Sequence, residues 1–169
     1  MKTTALYYCL PLVVSAFAAE PPNPKIDYSG FVKMGTALET VRASHRLSED
    51  KFIELAAEPG TVILDARSKD KYDNIHIKGA IHLALTDFTD EALQKAIPDK
   101  TTRVLIYCNN NFNDEPVNFP SKSEIVSLNI QTFINLHAYG YKNVYELGPL
   151  LDVKTARIPF DGTAVLPVR

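Results

Sequence analysis

Val104-Leu105-Ile106-Tyr107-Cys108 is the stretch that decides how this chain folds. Four consecutive apolar residues without polar alternation read as a strand buried on both faces, as in a parallel sheet covered by helices. The run stops at a cysteine, so a nucleophilic side chain stands at the carboxyl end of the most buried strand. In open α/β sheets that end of the strands is where ligands bind.

Outward from this run, apolar stretches alternate with amphipathic ones. Upstream, Val62-Ile63-Leu64 and Ala80-Ile81-His82-Leu83 are further strand candidates, separated by a short polar segment from Ser68 to Asn74. Ser48 can cap a helix with Glu49 and Asp50 in its first turn and Phe52, Leu55 and Ala56 on one face, ended by Pro59-Gly60. Thr89 caps another, with Leu93, Ala96 and Ile97 facing inward. Downstream, Ser121-Lys122-Ser123-Glu124 has the form of a capping box, opening a helix whose Ile130, Phe133, Ile134 and His137 share one face until Gly140. Val144-Tyr145-Glu146-Leu147 supplies the last strand. This order predicts an α/β domain, a mostly parallel sheet flanked by helices on both faces.

The chain has 169 residues, 46% of them hydrophobic and 22% charged, with a net charge of -2. Those values fit one soluble domain with a sizeable core and lack the basic excess of a nucleic-acid binder. Two cysteines cannot build a four-cysteine zinc site or a disulfide framework, and His45, His76, His82 and His137 have no metal-site spacing. No metal or cofactor is expected.

Met1 to Ala18 carries Lys2, an apolar run from Ala5 to Phe17 and a small-x-small close, Ala16-Phe17-Ala18, which reads as a signal peptide. The run is too short to span a bilayer. The expected organisation is a signal peptide at 1–18, a linker and N-terminal extension at 19–42, and the domain at 43–169. A secreted, periplasmic protein with no stable membrane anchor after cleavage follows, and Cys108 becomes its one thiol. Glu20-Pro21-Pro22-Asn23-Pro24 reads as an extended linker. Phe31, Met34, Leu38 and Val41 have helical spacing that Gly30 and Gly35 weaken, so the extension is assigned no element. Arg157 to Arg169 reads as an irregular tail.

Val62-Ile63-Leu64-Asp65-Ala66-Arg67, Tyr72, and His76-Ile77-Lys78-Gly79-Ala80-Ile81-His82-Leu83 resemble the apolar-Asp-x-Arg and His-Ile-x-Gly-Ala motifs of rhodanese-like domains. Val104 to Cys108 is similar to that family's strand ending in the active-site cysteine, and Gly140 to Leu147 to its last strand. The resemblance implies a five-stranded, mostly parallel sheet and a sulfurtransferase in which the Cys108 thiolate takes up sulfane sulfur as a persulfide. It passes that sulfur to a thiol or a cyanide-type acceptor. The implied partners are a small anionic sulfur donor or a protein persulfide or thiol. Cys108 is then the catalytic nucleophile. Asn109, Asn110, Asn111, Phe112, Asn113 and Lys122 are the substrate-binding candidates, and Asp65 and Arg67 would support the loop. His76 is structural in that motif.

The loop after Cys108 departs from the family. Twelve residues, Asn109 to Pro120, precede the expected cap at Ser121, and the sixth residue after the cysteine is Asp114 where a phosphatase of related loop needs an arginine. Asp114 and Glu115 are expected to bring like charge toward the thiolate, with Lys122 in the first helical turn as the nearest cation. Asparagines tolerate left-handed backbone, which a cradle of convergent amides requires. Two other readings stay open: a non-catalytic binding module on the same fold, and a thiol redox protein using Cys108.

Overall fold

The computed structural model describes residues 23–165. The expected signal peptide, Cys9 and the start of the linker lie outside the described residues. In chain order the elements are α1 (Tyr28–Ser44), β1 (Arg46–Leu47), α2 (Glu49–Ala56), β2 (Val62–Asp65), α3 (Lys69–Asn74), β3 (His76–Ile77), β4 (Ile81–His82), α4 (Asp90–Ala96), β5 (Val104–Tyr107), β6 (Phe112–Asn113), α5 (Leu128–Ala138), β7 (Val144–Leu147), β8 (Leu151–Asp152) and β9 (Phe160–Asp161).

Five strands form one parallel sheet in the order β1-β7-β5-β2-β4. The Val104–Tyr107 run is its middle strand and is buried along its whole length. Alternate residues therefore enter two separate cores. Ile63, Leu105 and Tyr107 pack with Phe52 and Leu55 of α2 on one face, while Leu64, Val104 and Ile106 pack with Leu93 of α4 and Phe133 and Leu136 of α5 on the other.

The expected caps of α2 and α4 are in place. Ser48 Oγ accepts from Lys51 N at 3.3 Å, and Thr89 Oγ1 from Ala92 N at 3.0 Å. The α5 helix ends in a Schellman turn: Gly140, at φ +94°, donates to His137 O, and Tyr141 N donates to Leu136 O.

Four elements differ from the sequence expectation. The polar Ser68–Asn74 segment contains α3, a six-residue helix. The N-terminal extension is a seventeen-residue helix, α1, capped by Asp27, whose carboxylate accepts from Gly30 N at 2.7 Å. It packs on α5 without burying any residue of its own, which is why its apolar spacing was faint. The expected cap at Ser121 is absent, and α5 begins at Leu128 after a single 3-10 turn over Glu124–Val126. The cause is tertiary: Asn110 Nδ2 donates to Lys122 O and Asn110 Oδ1 accepts from Lys122 N, both at 2.9 Å, so that residue is committed to the loop. Finally, the C-terminal tail is not irregular throughout, since β9 pairs antiparallel with β3 and Ile158 is buried in the α2-side core.

Leu105 has no exposed surface at the centre of the sheet. Leu105→Ala is expected to cost about 3 kcal/mol of unfolding free energy, read from chemical denaturation. A loss under about 1 kcal/mol would contradict this packing.

Candidate functional site

Cys108 follows β5 directly and is 1% exposed. It is the free cysteine of the described residues. By the alternation of β5 its side chain falls on the α5 face, with Val104 and Ile106. There its Sγ lies 3.6 Å from Ser127 Oγ. Ser127 occupies the N-cap position of α5 without making a side-chain cap hydrogen bond. The thiol therefore faces the amino end of an eleven-residue helix, where backbone N–H groups and the helix dipole favour negative charge.

The loop that follows is held by amides. Asn109–Asn111 form a 3-10 turn. Asn111 is 5% exposed, and its Nδ2 donates to Leu147 O at 2.7 Å and to Pro149 O at 3.2 Å. Those two bonds aim Oδ1 at Cys108 N, which donates to it at 2.9 Å, and at Asn129 Nδ2, which donates at 3.0 Å. One side chain thus ties the cysteine backbone, the end of β7 and the first turn of α5. Beyond it, β6 pairs in parallel with β8. The Phe112 ring turns into the core, 4.6 Å from Phe119 and 5.2 Å from Phe160 between centroids.

The cysteine borders a cleft of about 470 Å³, whose wall includes Asn110, Asn113 and Lys122. Asn109, by contrast, borders a neighbouring hollow of about 420 Å³ on the other side of the loop, with Lys122 between the two. Asn110 and Asn111 act through their side chains, and among the described residues the non-glycine one with left-handed backbone is Asp114, at φ +60°. The two acids expected to oppose the thiolate do not reach it; the carboxylates lining its cleft are Glu124 and Glu146. Neither Asp114 nor Glu115 lines the cleft, and Glu115 accepts from Asn118 N and Nδ2 at 2.6 and 3.1 Å.

On the opposite face of the sheet, Asp65 and Tyr107 are register partners. Arg67, 2% exposed, donates through Nη2 to Asp65 Oδ2 at 2.6 Å and through Nη1 to Asn118 O at 3.1 Å. Its guanidinium carbon stands 4.4 Å from the centre of the Phe119 ring. The Tyr107 hydroxyl donates to Asp65 as well. Burial opposes the Arg67 charge, but Asp65 and Tyr107 outweigh it and its pKa is raised. The four histidines have local partners: His45 Nδ1 is 2.8 Å from Val144 O, His76 Nδ1 2.7 Å from Tyr72 O, His82 Nε2 2.9 Å from Arg67 O and His137 Nδ1 2.9 Å from Phe133 O. No cluster able to hold a metal ion occurs among the described residues.

Sequence reasoning missed one part of the cleft. Glu146, 1% exposed on β7, receives Arg42 from α1 and Arg46 from β1, with N–O distances of 2.8 and 3.1 Å. All three line the cleft beside Cys108. The signal was the acid itself: Glu146 lies two residues from Val144 in a core strand, on the same face, and a carboxylate there requires cations. Their origin in the weakly patterned α1 segment concealed them.

Two outcomes follow from this geometry. Asn111→Asp keeps the shape but places a carboxylate against the Leu147 and Pro149 carbonyls. It is expected to lose about 2–4 kcal/mol of stability in chemical denaturation, and a neutral result would contradict the hub role. Burial raises the Glu146 pKa above the ordinary 4.5, against the pull of Arg42 and Arg46. The folded chain then keeps this proton where the unfolded chain has released it, so the Glu146 contribution to stability is fully present below 4.5 and declines as pH rises through the raised value. Unfolding free energies of wild type and Glu146→Gln from about pH 4 to about pH 7 should show the wild type weakening relative to the variant as pH rises. A difference independent of pH would contradict the assignment.

The chain matches the family model described as Rhodanese-like domain over residues 48–148. No curated protein matches the sequence. Among solved structures, the rhodanese-like domain of the Alr3790 protein from Anabaena sp. is 21% identical, with a TM-score of 0.51 over 74% of this chain and 86% of that one. The BH2092 protein from Bacillus halodurans is 15% identical, with a TM-score of 0.52 over 79% and 88%. A rhodanese with anions from E. coli is 25% identical, with a TM-score of 0.42 over 61% and 99%. With the family model matched over more than half of the chain and the sheet order that accompanies it, the chain belongs to the rhodanese-like domain family.

Proposed function

We propose that this protein is a sulfurtransferase that carries sulfane sulfur on Cys108. The observation that supports it most is the placement of the described residues' free thiol, at the end of the middle strand, 3.6 Å from the serine that opens α5, on the wall of a cleft of about 470 Å³. In the proposed reaction the Cys108 thiolate attacks the outer sulfur of a donor. A new S–S bond forms at Sγ while the donor's own bond to that sulfur breaks, and the donor leaves with the electron pair. An acceptor nucleophile then attacks the outer sulfur of the persulfide, and Cys108 departs as thiolate.

Asn110, Asn111, Asn113 and Lys122 border the proposed binding cleft, and Asp65 and Arg67 hold the far part of the loop through Asn118 and Phe119. Asn109 lies away from this cleft, Phe112 borders it with its ring turned into the core, and both fit this reading as supports of the loop. The proposed setting is the periplasm, on the strength of the Met1–Ala18 segment.

One observation favours the rival binding-module reading: Cys108 is only 1% exposed. Intact-protein mass spectrometry separates the two. Treatment with sulfane donors is expected to add about 32 Da to the wild type and nothing to Cys108→Ser. Absence of any Cys108-dependent adduct from thiosulfate, organic persulfide and polysulfide alike would refute the transferase.

A further inference from the structure

The hollow of about 420 Å³ on the other side of the Cys108 loop has no part in the sulfur chemistry, and its wall suits a ligand of another kind. Asn109 lines it, is 7% exposed and lies outside the wall of the cysteine cleft. Asn110 and Asn111 commit their amides to holding the loop, whereas the Asn109 side chain makes no hydrogen bond among the described residues. Its Oδ1 is shut away from solvent, but Nδ2 keeps accessible surface, and the space that Asn109 borders is the hollow. An unpartnered amide in so closed a wall is costly, and a ligand acceptor at Nδ2 offsets part of that cost.

The charge of the wall selects that acceptor. Arg67, Lys71 and Lys122 line the hollow and no carboxylate does, whereas Glu124 and Glu146 both line the cysteine cleft. The Arg67 charge is met by Asp65. Lys71 gives one N–H to Val117 O at 2.6 Å, and Lys122 Nζ has no partner among the described residues, so two ammonium groups keep donors for an anion. Ser68 adds a neutral donor, since it stands at the N-cap position of α3 without making a cap hydrogen bond. Leu85, Leu128 and Val126 make the wall apolar elsewhere, and Val126 is 53% exposed. An inorganic anion would leave that apolar surface in water, and a neutral apolar molecule would leave the ammonium groups unmatched.

We propose that this hollow is a binding site, separate from the cysteine cleft, for a small organic carboxylate with a hydrocarbon body. Lys71 and Lys122 supply the charge that holds the carboxylate, Asn109 Nδ2 and Ser68 add neutral donors, and the hydrocarbon covers Leu85, Leu128 and Val126. The volume is that of a small-molecule pocket. The site is independent of whether sulfur passes through Cys108.

The test titrates the protein with hexanoate, with acetate, which lacks the hydrocarbon body, and with hexanol, which lacks the charge, and follows backbone amide signals by NMR. Hexanoate is expected to bind about tenfold more tightly than either. It is expected to move the signals of Leu85, Thr86 and Leu128 and to leave those of Arg46 and Leu150, in the cysteine cleft, in place. Lys71→Gln is expected to weaken hexanoate binding about tenfold. Asn109→Leu keeps the bulk of the side chain and removes an amide that bonds to nothing in the chain, so it is expected to weaken hexanoate without lowering the unfolding free energy. Signals that move at the cysteine cleft instead, equal binding of hexanol or acetate, or undiminished binding in Lys71→Gln overturn the proposal. A hexanoate titration that moves no signal, or an Asn109→Leu chain that loses stability, overturns it as well, and all of these outcomes leave the sulfur-transfer reading standing.

Discussion

Asp65 and Arg67 form an ion pair with 0% and 2% exposure, and the far side of the fold is arranged around the requirement that these charges be satisfied. An ion pair out of water is tolerable only when its remaining donors and acceptors are used. Here they are: the Arg67 backbone N–H and Nε reach Asp65, its other nitrogens reach Ile75 O and Asn118 O, and the Tyr107 hydroxyl reaches Asp65 while accepting from Ile77 N. Each of these partners belongs to a different part of the chain. β2, β5, the turn before β3 and the loop after Cys108 are thereby locked in one mutual position.

That lock makes a long loop compatible with a defined site. Closing a longer loop costs little additional entropy, but a loop without internal anchors would not hold amides against a thiol. This one is fastened at three depths: Asn111 at its start, Asn110 with Lys122 near its end, and Phe112 and Phe119 in the core between them. The sheet formed by β6 and β8 adds a fourth tie to the segment after β7. The thiol environment is set by contacts distributed over about forty residues of chain, and no short motif contains it.

This distribution explains what was legible in the sequence. Strand runs such as Val104–Tyr107 and caps such as Ser48 and Thr89 are governed by neighbours within a few residues, so their pattern is visible locally. The strand-end position of Cys108 follows from the same local reading. What failed to show depends on distant partners. Ser121 has the form of a capping box, yet Asn110 takes the backbone of Lys122 before a helix can. The α1 helix lacks a strongly apolar face because it meets the domain through a thin contact with α5 and through Arg42. Two-residue strands such as β1 and β9 carry no periodicity at all.

The family match begins at residue 48, so Arg42 and Arg46 lie outside the part of the chain it describes. Within the matched span, the loop brings no arginine to the cleft, and Lys122 is its cation there. Glu146 alone would be an unsupportable charge in a core strand, at 1% exposure with burial already raising its pKa. In its charged form it is neutralised by the guanidiniums that α1 and β1 carry against the sheet. Arg42 thereby ties the end of the N-terminal helix to the sheet. The same requirement delivers two cations to the cysteine cleft from a direction the loop does not use, and the charge of the cleft is set by the first elements of the chain as much as by the loop that surrounds the thiol.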